Sequence, residues 1–298
     1  MAKQKHLSPK AWAELLLLGV IWGASFVSIR IALDTIPVMT SVFHRVFWAM
    51  LALWFVVFFR KLPVPRSPRV WFAFGAMGLL NNAIPFSLMA WGQLYIETGL
   101  TSILNAMTAI FGVITAALFF RDERLTRSRA VGVGLGFLGV AIAIGIRNFA
   151  SFDLQSAAQL AIITGTISYA LAGAWARVTL SDLSPVVAAA GMLTGSTVLI
   201  LPVTLMVDGV PRLDLPLITW TAIGYYALIA TAGAYLLYYR VLAMAGAGNL
   251  MLVTLIIPPV AIALGAVLRD EALPPQAFLG FAILALGLLI LNRSGTRD

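Results

Sequence analysis

Asn81 and Asn82 sit in the middle of an unbroken apolar stretch, residues 70–94, with Pro85 three residues further on. In a helix over that stretch the pair stands about 17 Å from either end. Amides at this depth have two uses: hydrogen-bonding the polar part of a solute inside a cavity, or joining neighbouring helices as polar glue. Pro85 frees a backbone carbonyl near Asn81 and can bend the helix. A second polar set, Thr101, Asn105, Thr108, Gly112 and Thr115, follows 4, 3, 4, 3 spacing and shares one helical face. It suits either one wall of a cavity or helix packing through small residues.

Aromatic residues would form the apolar side of such a cavity. Trp12, Trp71 and Trp220 lie near the ends of apolar stretches and read as interfacial anchors. Trp22, Trp91, Tyr95, Tyr169, Tyr225, Tyr226, Tyr235 and Tyr238 lie deeper or on helices that would surround the cavity. Trp22 and Tyr169 are the preferred aromatic liners, with Trp91 and Tyr235 beside them as substrate contacts.

Charged groups at depth are few. No lysine lies within any apolar stretch, which disfavours multiply anionic solutes such as sugar phosphates, because these want several buried cations. Arg45, about 12 Å below Pro37 along a helix, could pair with a substrate carboxylate or bond neighbouring carbonyls to hold its helix in place. Glu14 is either a residue of the helix end or a proton-coupling carboxylate.

The inventory excludes most enzyme chemistry. There is no cysteine, the only histidines are His6 and His44, and no glycine is followed by lysine. Thiolate, metal-site and P-loop motifs are therefore missing. Gly23-Ala24-Ser25 with His44 loosely resembles an intramembrane serine protease site, yet two short coincidences on adjacent helices do not make a dyad. No catalytic residue, metal or cofactor is expected.

These residues need elements to hold them, and composition says which kind. Of 298 residues, 61% are hydrophobic and 11% charged, with a mean hydropathy of +0.96. A soluble domain carries roughly a quarter charged residues, so the main solvent is a bilayer. Ten stretches are long enough to cross it: 11–32, 37–59, 70–94, 98–120, 129–146, 157–177, 185–206, 217–239, 247–268 and 277–292. Lys and Arg collect on the cytoplasmic side of such proteins. With the N-terminus inside, 15 of 20 basic residues are cytoplasmic and only Arg30, Arg147, Arg212 and Arg269 face outwards. The formal charge of +8 is then topology and not a nucleic-acid surface; both termini are cytoplasmic, and the first span is retained.

Shifting the chain by 148 residues lays Arg121-Asp122-Glu123-Arg124-Leu125 on Arg269-Asp270-Glu271-Ala272-Leu273, Gly132 on Gly280, Leu138-Gly139 on Leu286-Gly287 and Pro85 on Gly233. The chain thus divides into 11–146 and 157–292, each with five spans. Five is odd, so the second copy is inverted, a recurring plan of secondary transporters. Pro85 and Gly233 interrupt the same helix of each copy, which points to a binding site or simply to the frequency of Pro and Gly in membrane helices.

Trp22-Gly23-Ala24-Ser25-Phe26-Val27, Phe43-His44-Arg45 with Ala49, Asp122-Glu123-Arg124-Leu125, Pro258 and Asp270-Glu271-Ala272-Leu273 resemble the EamA-type members of the drug/metabolite transporter superfamily. The resemblance covers nearly the whole chain. Two departures stand out: Ile110 replaces the usual proline of the fourth span, and the second copy has Pro258-Pro259, so the halves are not bent alike. Within the superfamily the chain is most similar to exporters of aromatic and other neutral amino acids of the YddG type. This implies an all-α integral membrane protein with ten transmembrane helices as two inverted repeats. It implies export of small neutral amino acids from the cytoplasm across the inner membrane by alternating access. The alternatives are another small amphipathic metabolite or drug, or a passive channel. The expected partners are a small-molecule substrate and the lipid bilayer, and the expected state is a monomer.

Overall fold

The computed structural model describes residues 8–121, 123, 125–145 and 153–294. Asp122, Arg124, Arg147 and the basic residues Lys3, Lys5 and Arg297 lie outside the described residues, as does the 146 boundary of the first repeat. All regular structure among the described residues is helical: α1 Pro9–Leu33, α2 Val38–Phe59, α3 Pro68–Gly92, α4 Thr98–Phe119, α5 Arg127–Ile144, α6 Leu154–Thr179, α7 Pro185–Val207, α8 Leu217–Gly246, α9 Val253–Arg269 and α10 Pro275–Ser294. Nine are long and apolar enough to cross a membrane. The tenth, α9, has 17 residues, about 26 Å of helix and still within the spanning range. The protein is an all-α integral membrane protein.

Local chemistry sets the helix starts. Ser8 accepts from Ala11 N and is followed by Pro9, Thr126 accepts from Arg129 N, and Asp153 accepts from Ser156 N at 2.8 Å. Each satisfies a donor the first helical turn leaves open. The Ser156 backbone bond is also the main reason the Asp153 carboxyl sits below the usual carboxylate range. Trp71 Nε1 donates to Pro65 O and Trp220 Nε1 to Leu213 O, joining helix ends to adjacent loops as interfacial tryptophans do.

Three helices depart from regularity. In α3 a π-helical turn, Leu79–Ala83, precedes Pro85, and Ile84 N bonds Leu79 O. The wider turn absorbs the missing donor and ring clash of the proline. In α8 the π-helical stretch is Tyr225–Gly233, where Ala234 N bonds Ile229 O. Adding 148 to 79–83 gives 227–231, so the widened turns fall at corresponding places. The helix α4 is interrupted at Ala106, so the stripe from Thr101 to Thr115 is not one continuous face.

The second half also differs from its expected spans. The eighth helix continues past its expected end at 239 as far as Gly246, and a second helical segment begins after it, at the expected start of the ninth span. Gly246 has φ 79°, ψ 165°, left-handed backbone that only glycine takes readily, and turns the chain at that point. Met251 and Leu252 form a turn before α9 begins.

Packing is tightest between α5 and α10. A Cβ at Gly139 would stand 2.6 Å from Gly280 O, and one at Gly287 2.6 Å from Gly132 O. Glycine on both sides lets the backbones touch, as small residues do between membrane helices. The contact lies within one chain. Elsewhere α1 packs on α9, α4 on α6, α2 on α7 and on the π stretch of α8, and α3 on α7, leaving a central space between the halves.

Candidate functional site

That space is a cavity of about 850 Å³, within the range of small-molecule sites. Its wall holds Trp22, Arg45, Asn81, Asn105, Thr108, Tyr169 and Tyr235. Seven of the residues picked from sequence thus come together from α1, α2, α3, α4, α6 and α8.

The π stretches build this wall. Widening a helix moves some carbonyls out of the regular ladder, and side chains from other helices meet them. Trp22 Nε1 of α1 donates to Ala230 O in the π stretch of α8 at 3.1 Å. Ser168 Oγ of α6 donates to Leu80 O in the π turn of α3 at 2.6 Å. The first helix of each half therefore braces the interrupted helix of the other. On α3, Asn81 Nδ2 donates to Tyr235 Oη at 3.1 Å, and Tyr235 Oη donates to Asn82 Oδ1 at 3.1 Å. Asn82 Nδ2 donates to Ser196 Oγ of α7 at 2.8 Å.

Three expected substrate contacts are not in the wall. Asn82 is fully buried and spends its amide on Ser196 and Tyr235, so it joins helices where its neighbour Asn81 faces the cavity. Thr101 is fully buried, and its hydroxyl donates to Glu97 O; it shares the segment Thr98–Asn105 with Asn105, and the break at Ala106 separates both from Thr108. Trp91 packs against Tyr95 with ring centroids 5.1 Å apart. Among the expected interruptions, Pro85 follows the π turn of α3 by two residues and Gly233 ends that of α8, while Pro258 is buried inside a continuous α9. Glu14 is also away from the cavity and pairs with Arg240.

Arg45 is the cation of the inner wall. Its Nε donates to Thr231 Oγ1 at 3.0 Å, Thr231 donates in turn to Tyr226 O, and the guanidinium lies 3.7 Å from the Phe86 ring centroid, a cation–π distance. Among the described residues the lining contains no Asp, Glu or Lys. Arg177 lines only the mouth and pairs with Glu123 at 3.7 Å.

The sequence did not point to Gln93, Phe26, Phe86, Met192 or Tyr239, all of which line the cavity, as does Tyr238. Gln93 was the findable one: it is a buried amide on the face of α3 that carries Phe86, seven residues earlier. Ser25 and His44 have separate partners. Ser25 Oγ donates to Trp22 O, and His44 Nδ1 accepts from Trp48 Nε1.

The cavity is closed at one face and open at the other. Exposed Ser181 and Pro185, with Leu183, form its rim on the side where α1 begins. At the opposite face, Asp34 after α1 pairs with Arg30 and with Arg269 of α9. There Glu271 accepts from Thr98 N at 2.9 Å and from Thr98 Oγ1, and Asp208 accepts from Thr40 N at 2.7 Å and from Thr40 Oγ1 at 2.9 Å. These carboxylates cap α4 and α2 where the helix dipole favours a negative charge.

The model of the EamA-like transporter family matches this chain twice, over residues 11–145 and 156–293. A "Probable terminal-alkyne amino-acid exporter" of Streptantibioticus cattleyicolor is 26% identical over 96% of this chain and 94% of its own length. A "Probable amino-acid metabolite efflux pump" of Escherichia coli is 25% identical, covering 95% of each chain. A solved crystal structure superimposes with a TM-score of 0.68 at 14% identity, covering 97% of this chain and 99% of that one; at that identity the likeness concerns the fold alone.

Proposed function

The chain belongs to the EamA-like transporter family, and we propose that it is a secondary transporter exporting small neutral amino acids, with aromatic and other large apolar ones favoured. Membership makes it a membrane transporter and not an enzyme. One observation carries the substrate proposal: a central cavity walled by Trp22, Tyr169 and Tyr235 together with Asn81, Asn105 and Thr108, holding one inner cation and no carboxylate. Such a wall matches a solute with an apolar body and a small polar head, and it has too few cations for a phosphate ester. The names of the two relatives, an amino-acid exporter and an amino-acid metabolite efflux pump, support the same class.

The proposed mechanism is alternating access between two inverted five-helix repeats, 11–146 and 157–292. Closure at one face by Asp34, Asp208 and Glu271, with an opening at the other, supports it better than a channel, which needs a continuous path. In this reading both termini are cytoplasmic, the open face looks inwards, and the protein acts as a monomer in the inner membrane. Glu14, ion-paired away from the cavity, takes no part in coupling.

Flux in proteoliposomes tests the proposal. Labelled phenylalanine, threonine and methionine should move with saturation and be accelerated by unlabelled amino acid on the far side, while a sugar phosphate should not move. Saturable flux of a non-amino-acid amphipath alone would replace the substrate class, and unsaturable flux would replace the mechanism.

A further inference from the structure

The cavity wall contains polar atoms whose hydrogen-bonding capacity no protein group uses. Arg45 has five N–H donors in a rigid fork, of which Nε is bonded to Thr231. Among the described residues neither terminal nitrogen of Arg45 has a hydrogen-bond partner, and no carboxylate lies within ion-pair distance. Anchoring its own helix, the plainer role for such a residue, would direct these nitrogens at backbone carbonyls. The Thr231 and Phe86 contacts fix the guanidinium and leave the forked end available. A fixed guanidinium fork recognises a carboxylate through two parallel bonds.

The complementary atoms are acceptors. Gln93 Oε1, Asn105 Oδ1 and Thr108 Oγ1 are all buried, all without a hydrogen-bond partner, and all on residues of the same wall. Buried polar atoms are nearly always satisfied, and leaving one unsatisfied is destabilising. The three residues line one cavity from α3 and α4, and their unpaired oxygens equal in number the N–H donors of an ammonium group. Gln93 is fixed for this role because its Nε2 donates to Phe26 O.

We infer that Arg45 binds the carboxylate of the transported solute, and that Gln93, Asn105 and Thr108 accept from its ammonium group. The site thereby selects zwitterionic α-amino acids over amines, amides and simple acids. The inference rests on the amino-acid reading above and deepens it by giving each end of the head group a partner. It also explains how a cavity without an acidic residue takes an ammonium group. Neutral oxygens suffice when the adjacent carboxylate balances the charge, whereas an amine lacking that carboxylate would leave two cations, its own and Arg45, in one low-dielectric space.

The test uses the full chain and three probes that share one phenyl group: phenylalanine, phenylalaninamide and 3-phenylpropionate. Competition against labelled phenylalanine is measured in proteoliposomes, and thermal stabilisation by each probe is measured in detergent. In the wild type both analogues should compete at least about 10-fold more weakly than phenylalanine. Arg45→Gln should remove most of that preference for phenylalanine over its amide, a loss of about 10-fold or more. Arg45→Lys, which keeps the charge without the fork, should recover part of it. Thr108→Val and Asn105→Ala should instead narrow the gap between phenylalanine and 3-phenylpropionate. A merely structural Arg45 would lower transport of all probes alike. Should Arg45→Gln fail to fold, the wild-type series and Arg45→Lys decide. Equal competition by phenylalaninamide and phenylalanine in the wild type would overturn the inference while leaving amino-acid export intact. Stabilisation by 3-phenylpropionate that depends on Arg45, without saturable flux of any amino acid, would do the reverse.

Discussion

Asn82 and Asn105 are the same residue type, both lie within spans, and the chain alone gives them equal claims on substrate. Their surroundings separate them. Asn82 is fully buried and bonded to Ser196 and Tyr235, whereas Asn105 Oδ1 has no partner and its residue faces the cavity. Asn82→Ala removes one end of a satisfied buried network and leaves Ser196 short of a donor. It should lower thermal stability by about 1–3 kcal/mol and reduce flux through that loss. Asn105→Ala leaves no protein partner behind and removes an unpaired buried oxygen, so it should leave thermal stability equal or higher, while lowering the apparent affinity for phenylalanine. Thermal unfolding in detergent and proteoliposome flux on the same preparations check the pair. Stable Asn82→Ala with weakened substrate binding would reverse the assignment. Polarity at depth is legible in sequence because hydrocarbon punishes it at every lipid-facing position. Which partner satisfies each group is not legible, since Ser196 and Tyr235 lie 114 and 153 residues away.

Among elements, the readable features were those with strong local chemistry. Length and apolarity located the spans; the glycines at 132, 139, 280 and 287, matched across the repeat, lie in the structure at the close α5–α10 contact. The end of α8 is not legible at 239 because the helix continues to a turn at Gly246 with no polar loop, and the break at Ala106 carries no proline or glycine at all. Pro85 falls between these cases: it signals an interruption but not its kind. The structure makes that interruption a π turn at Leu79–Ala83, which aims Asn81 at the cavity while Asn82 faces α7. Pro85→Ala restores the missing donor and removes the ring clash, a change that in helix interiors is worth up to about 3 kcal/mol. The π turn should then relax towards an α-helical register, turning Asn81 away from the wall. The expected result is equal or higher thermal stability with flux lowered about 10-fold or more, the pattern in which a widened turn serves function at the expense of stability. Unchanged flux would reduce the π turn to a packing adjustment.

At the scale of the molecule the question is what holds one face shut. Glu271 caps α4 through Thr98, and Asp34 holds Arg269. A shift of 148 carries Glu123 to Glu271 and Thr98 to Gly246, yet at the open face Glu123 engages Arg129 at 2.9 Å and Arg177 at 3.7 Å, and Gly246 keeps left-handed backbone. In the proposed cycle the two carboxylates exchange roles: the opposite state releases Thr98 from Glu271 and brings Glu123 to the chain start at Gly246. Loss of an N-terminal cap costs about 1–2 kcal/mol, a factor of about 5–30 in a two-state ratio. The chain has no cysteine, so Ser25→Cys, in the cavity wall, gives a single reporter for a membrane-impermeant thiol reagent. In that background Glu271→Ala should raise labelling from the face now closed by about that factor, because it weakens only the closure seen in this state. Glu123→Ala should lower labelling from the same face by disfavouring the opposite state. Opposite shifts are what a two-fold exchange requires. Shifts of the same sign would mean that Glu123 and Glu271 simply stabilise the fold, each at its own helix end.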